Sequence, residues 1–113
     1  MKENLKVLQA FVDEMKLNSS LIAKKAIINA YGKNPFIKSA LVYALDPYKK
    51  YYITSKTCKK NVDICDMNKI HDDIFHLLND LNDRVYTGHN AIAVVNAFIL
   101  QHKEYEDLIF SII

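Results

Sequence analysis

Glycine, proline and cysteine each occur only twice in these 113 residues, and tryptophan does not occur. With glycine only at positions 32 and 88, neither a phosphate-binding glycine loop nor a dinucleotide fingerprint can be written. So little glycine and proline also leaves too few turn residues for a set of hairpins. Cys58 and Cys65 lie in a lysine-rich stretch at a spacing that matches no common zinc or redox motif. They read as reduced thiols, with a disulfide or a metal site as the alternatives. The longest apolar run, residues 91–100, contains Asn96 and is far shorter than the roughly 20 residues needed to cross a bilayer. The first residues mix Lys2, Glu3 and Lys6 with apolar positions, unlike a signal peptide. A soluble, cytoplasmic protein without a membrane partner is expected.

Half of the residues are hydrophobic. That is enough for one domain spanning residues 1–113 but not for two. The apolar positions recur at steps of three and four and nowhere alternate, which predicts an all-α fold, a compact orthogonal bundle of six to seven helices. Leu5, Leu8, Val12 and Met15 mark a first helix ending near Asn18. Ser19 or Ser20 caps a second, carrying Leu21, Ile22, Ala26, Ile27 and Ala30 and closed by Gly32 in a left-handed conformation. Asn34 and Pro35 open a third, and Asp46 and Pro47 open a short fourth over residues 48–53. Residues 54–63 read as loop. A fifth helix is expected over residues 66–83, with Ile70, Ile74, Leu77, Leu78 and Leu81 as its stripe, a sixth over 89–102, and a last one to the end.

The formal net charge of +2 hides a split. Residues 1–60 hold twelve lysines against four acids, whereas residues 61–113 hold three cations against nine acids. A basic face suited to a polyanion is one reading, and lysines solvating helix surfaces the other. No catalytic residue, cofactor or metal is expected. Asp72 and His76, four apart, read as a solvent-facing pair with a shared metal as the alternative. His71 and His76, five apart, diverge around a helix, and His102 closes a helix end where a cation is favoured.

Two segments suit binding. In "DPYKKYYI", residues 46–53, Lys49 and Lys50 alternate with Tyr48, Tyr51 and Tyr52 and precede Lys56, Lys59 and Lys60. Lysines there can meet phosphates, while Tyr51 or Tyr52 read as core with hydroxyls at the rim. In "RVYTGHNAIAVV", residues 84–95, Thr87 and Gly88 precede an apolar helix whose first amides, on His89, Asn90 and Ala91, are free for an anion, with Arg84 adding charge. The alternative is a plain turn capped by Thr87.

In combination, "NPFIKSALVYALDPYKKYYI", "LLNDLNDRVYTGHNAI" and "HKEYEDLIFSII" resemble the helical N-terminal DNA-binding domain of phage-type and bacterial ATP-dependent DNA ligases. The resemblance runs from about Lys24 to Ile113, with Arg84, Thr87, Gly88 and Ala91 its most specific part. It implies a non-catalytic module that grips double-stranded or nicked DNA across the minor groove through phosphates, independently of sequence, with Thr87, Gly88, His89 and Asn90 facing the DNA and Arg84 close by. The family's catalytic Lys-x-Asp-Gly motif is missing, so neither self-adenylation nor nick sealing is expected. The family's domain continues past its last helix into an Arg-Asp-Leu and Cys-Gly-like segment, whereas this sequence stops at Ile113, as a ligase fragment or a free-standing relative would. The alternative function is a protein-interaction or inhibitor module docking on a replication or repair protein, for which exposed Leu108, Ile109, Ile112 and Ile113 would supply apolar surface.

Overall fold

A computed structural model describes residues 1–113. It contains seven α-helices, one 3-10 turn and no strand. In order these are α1 (Lys2–Leu17), α2 (Leu21–Tyr31), α3 (Pro35–Leu45), α4 (Ser55–Lys60), α5 (Ile74–Asn82), α6 (Gly88–Gln101), the 3-10 turn Lys103–Tyr105 and α7 (Glu106–Ile112). No helix is long and apolar enough to cross a membrane.

The core is built around α6, which buries eight residues from Ala91 to Ile99. Such a helix is apolar on nearly every face because neighbours surround it. Leu5, Leu8 and Phe11 of α1, Ile37 and Ala40 of α3, Ile74, Leu77, Leu78 and Leu81 of α5, and Leu108, Ile109, Phe110 and Ile112 of α7 complete the cluster. Burial of α7 overturns the expectation of an exposed apolar terminus: Leu108, Ile109 and Ile112 are buried, and Ile113 packs half-buried against them. Their side chains find partners within the chain, mainly on α3 and beside the 3-10 turn.

The helix starts follow local chemistry. Asn34 accepts the N–H of Phe36 at 2.9 Å and of Ile37 at 3.3 Å, with Pro35 at the first helical position, as expected. Ser20, rather than Ser19, caps α2 through the N–H of Ala23. Gly32 differs from expectation. Its φ of −64° is right-handed, and its need for glycine is one of space, since a Cβ there would lie 2.8 Å from the Ile28 carbonyl oxygen. The stripe assigned to α2 also fails to find a core. Leu21 and Ile22 are 69% and 82% exposed, and the helix touches the rest of the molecule mainly along α1, where Tyr31 meets Phe11 edge to face at 5.4 Å.

The largest reversal concerns residues 46–63. Asp46 does not start a helix; its carboxylate accepts the N–H of Tyr48, which fixes a turn, and residues 49–53 then run without helix. The helix lies instead in the presumed loop, as α4, capped by Thr54 through the N–H of Thr57. Only Cys58 of α4 is buried, so no periodicity could have announced it. The fifth helix is shorter than expected because Asp66 and Asp73 spend their carboxylates on the N–H groups of Asn68 and Phe75, a turn and a cap, leaving helix only over 74–82.

Candidate functional site

The turn between α5 and α6 begins with the exit from α5. The Val85 N–H donates to the Asp80 carbonyl at 2.8 Å and the Arg84 N–H to the Leu81 carbonyl at 3.1 Å, which together form a Schellman motif. That motif needs a left-handed residue after the cap, a position ordinarily taken by glycine. Arg84 occupies it, with φ +57°. Its guanidinium lies 4.3 Å from the centroid of the Tyr52 ring. Tyr52 is itself left-handed, with φ +58°, and 59% exposed. Two non-glycine residues in this region each carry about 1–2 kcal/mol of strain, and here they stack on one another.

Two hydrogen bonds hold the 46–53 segment near this place. The Lys50 N–H donates to the Asn82 side-chain oxygen at 2.9 Å, at the end of α5. Tyr51 is buried, and its hydroxyl donates to the Tyr43 carbonyl. Burial, with the nearby Tyr43 and Asp46, pushes its phenol up to about 12. The expected core role thus falls to Tyr51, while Tyr52 turns outward and Tyr48 is exposed.

Beside the Arg84–Tyr52 pair lies an open cleft of about 410 Å³, lined by Tyr52, Ile53, Thr54, Thr57, Asn61, Gly88, His89 and Ile92. No carboxylate lines it. The Thr54 and Thr57 hydroxyls are 2.9 Å apart. On the opposite wall α6 starts at Gly88, whose φ is +56° and whose missing Cβ would meet nothing within 4 Å. The amides differ from expectation: those of Asn90 and Ala91 both donate to the Thr87 carbonyl, which leaves the amides of Gly88 and His89 free. Thr87 itself makes no side-chain cap, so its backbone rather than its hydroxyl closes the first turn.

The structure therefore places Gly88 and His89 in the cleft wall and brings Arg84 to it through the Tyr52 ring, whereas Thr87 and Asn90 are exposed but do not line it. It does not bring all the lysines there. Lys49 sits with its ammonium 4.4 Å over the Tyr43 ring. Lys59 lies 5.2 Å over the Phe110 ring, in a separate pocket with Val62, Leu100 and Lys103 toward the other end of α6. Lys60 is exposed in the last turn of α4. Sequence reasoning missed Thr54, Thr57 and the Arg84–Tyr52 stack; the "TSKT" pattern, a capping threonine three residues before another, was the available signal for the first two.

Both cysteines are free. Burial pushes the Cys58 thiol up to about 11, which keeps it protonated and inert. His102, expected to favour a charge at the end of α6, does the opposite: it is buried against Phe98, and burial, then the positive Lys2 and N-terminal amine, lower its pKa despite Glu104. His71 and His76 do not diverge, because His71 precedes α5 rather than lying on it. Both rings reach the same Asp80 oxygen, His71 Nε2 at 2.8 Å and His76 Nε2 at 3.3 Å. Comparison with protein-family models, with curated proteins and with solved structures gives no match for the chain.

Proposed function

We propose that the chain is a sequence-independent binding module for double-stranded or nicked DNA, gripping phosphates at the cleft between α4 and α6, in the manner implied by its resemblance to the ligase domain. The observation that carries the reading is the stacked, strained Arg84–Tyr52 pair at the mouth of a carboxylate-free cleft that ends on free amides of Gly88 and His89. Strain at two adjacent side chains marks a place where position matters more than stability. A guanidinium held on an aromatic face presents a flat, fixed cation to a sugar-phosphate backbone. The module is not itself an enzyme, and cytoplasmic replication or repair is the setting that fits it.

The test is a titration of nicked, intact and single-stranded DNA at several salt concentrations, with Arg84→Ala and Lys50→Glu beside the parent chain. Affinity for nicked or intact duplex should fall linearly on a log–log salt plot, change little with base sequence, and drop about tenfold in Arg84→Ala, or ~1.4 kcal/mol. Undiminished binding in Arg84→Ala removes the cleft from the interface, and absence of binding at low salt removes the function. The Lys49 and Lys59 ammoniums rest over the Tyr43 and Phe110 rings, outside the cleft, so Lys59→Glu should matter less than Lys50→Glu.

A second reading, a protein-interaction module, is favoured by one other observation. Leu17, Leu21, Ile22 and Leu45 are 84%, 69%, 82% and 74% exposed, large apolar side chains left without a core partner on α1, α2 and α3. Ile22→Lys should leave melting unchanged; a loss of partner binding with DNA affinity intact would favour this reading over the first.

A further inference from the structure

His71, His76 and Asp80 form a three-sided cluster outside the DNA-facing cleft, and the geometry points to a site for a borderline divalent ion, zinc above all. The three donor atoms lie within 4.8 Å of one another. In a tetrahedral zinc site with ordinary bond lengths, neighbouring donors are about 3.3 Å apart. The His76–Asp80 pair already has that separation, at 3.3 Å, the His71–Asp80 pair needs to open from 2.8 Å by about half an ångström, and the two histidine nitrogens, up to 4.8 Å apart, need to close by turning the exposed His76 ring.

Three features make the cluster more than a hydrogen-bonded trio. His76 and Asp80 are one turn apart on α5 and share a face, and His71 reaches them from the turn before the helix, so the donors converge from two elements. His71 is 5% exposed and the Asp80 side chain 20% exposed, so two of the three are already held in place and desolvated, and little ordering remains to be done on binding. His76, 66% exposed, leaves the cluster open to solvent, where a water would complete a fourth position. The segment that carries the donors is acidic, with six aspartates and a single lysine over residues 63–83, and that lysine, Lys69, rests its ammonium 5.8 Å over the Tyr86 ring.

The donor set selects the metal. Two imidazoles and one carboxylate suit zinc, nickel, copper or iron, whereas magnesium and calcium require oxygen donors. Binding through Nε2 moves each ring's proton to Nδ1. At His71 the Nδ1 atom is buried and has no partner, so the outer shell that usually supports a metal-bound histidine is missing there. With three protein donors and that gap, affinity belongs in the micromolar range, a regulatory or stabilising ion rather than a permanently bound one. Its place gives it a target. The Asp80 carbonyl accepts the Val85 N–H of the Schellman turn, and His71 meets Tyr86 edge to face at 5.8 Å. An ion on these residues therefore clamps the turn that carries Arg84 and leads into Gly88.

The test is calorimetric titration of chelator-treated full chain with zinc, with thermal melting alongside and cobalt as a spectroscopic probe. One zinc per chain at micromolar affinity, a melting temperature raised by several degrees and the visible absorption of four-coordinate cobalt are expected. His76→Ala alters an exposed ring, so it should keep the metal-free melting temperature while weakening zinc at least tenfold. Asp80→Asn should do the same, and Cys65→Ser should leave zinc binding intact. No heat and no melting shift at about a hundredfold molar excess of zinc would overturn the site. So would binding undiminished in His76→Ala, or binding lost in Cys65→Ser. None of these outcomes depends on DNA, so the site and the DNA reading stand or fall separately.

Discussion

Arg84 and Gly88 sit in the same backbone region, four residues apart, and only one of them is a glycine. The contrast separates conformation from contact. At Arg84 the Schellman turn asks for glycine, so Arg84→Gly should raise stability by about 0.5–1 kcal/mol, the relief of left-handed strain less the added chain entropy. The same change deletes the guanidinium over Tyr52 and should weaken duplex binding about tenfold. Thermal melting and DNA titration moving in opposite directions is the expected signature, and parallel movement would reduce Arg84 to a turn residue. At Gly88 a positive φ accounts for the glycine, and the open space around it adds that a side chain would project toward solvent and whatever binds there. Gly88→Asn should therefore keep the melting temperature, because asparagine tolerates this conformation, while any loss of affinity reports the approach of a ligand. Asn96 was visible in the sequence only as a polar interruption in the apolar run. In the fold its amide donates to the carbonyls of Asn61 and Ile64 at 3.0 Å and of Cys58 at 3.4 Å, closing the end of α4 onto α6. Asn96→Leu leaves those acceptors unpaired and should cost about 2–3 kcal/mol by denaturant unfolding.

Helices with an apolar stripe were legible, and α4, which has none, was not. Of the expected stripe, Ile74, Leu77, Leu78 and Leu81 are buried on α5 while Ile70 lies before the helix, half-buried; the Asn34–Pro35 start holds as expected, because capping is local in sequence. For α4 the sequence offered neither signal clearly, and the tyrosines before it imitated a stripe. Capping gives a paired prediction. Asn34→Ala removes two hydrogen bonds to the first turn of α3 and should destabilise by about 1 kcal/mol. Thr87→Ala removes no cap bond and should cost well under half of that, although both residues precede helices in the same way. Equal losses in chemical denaturation would mean that Thr87 caps α6 in solution. The case of α2 shows the limit of periodicity: its apolar residues recur at helical steps, but only contact with another element could bury them, and α1 covers one side alone.

At the scale of the whole molecule, the radius of gyration of 14.7 Å exceeds the roughly 13 Å usual for this length, as a bundle with α2 standing at one side would give. The N-terminal end of the chain lies near His102. The imidazole lies between Phe98, Lys2 and the N-terminal amine, with Glu104 the opposing charge, and its pKa is held below the ordinary 6.5. The unfolded chain therefore takes up this proton first on acidification. Stability is retained above about pH 6.5 and falls as the pH drops through that value toward the lower folded pKa. His102→Gln should flatten melting temperature against pH across this window, and an unchanged profile would assign the acid sensitivity elsewhere.

The sequence by itself determined the all-α fold class, the Asn34–Pro35 start of α3, and the burial of Leu5 and Leu8 on α1 and of Ile74, Leu77, Leu78 and Leu81 on α5. Each of these depends on residues within a turn or two of one another, where spacing is geometry. The tertiary structure alone decided which apolar residues find a partner, and so it buried Leu108 and Ile112 yet exposed Leu21 and Ile22. It also decided that Tyr52 meets Arg84, that Thr54 faces Gly88 across one cleft and that His71 turns back onto Asp80. Two of these pairings join residues more than thirty positions apart, and the third depends on where α5 begins. Their positions follow from how α4 and α5 pack on α6, a sum of many small contacts that no single stretch of sequence contains.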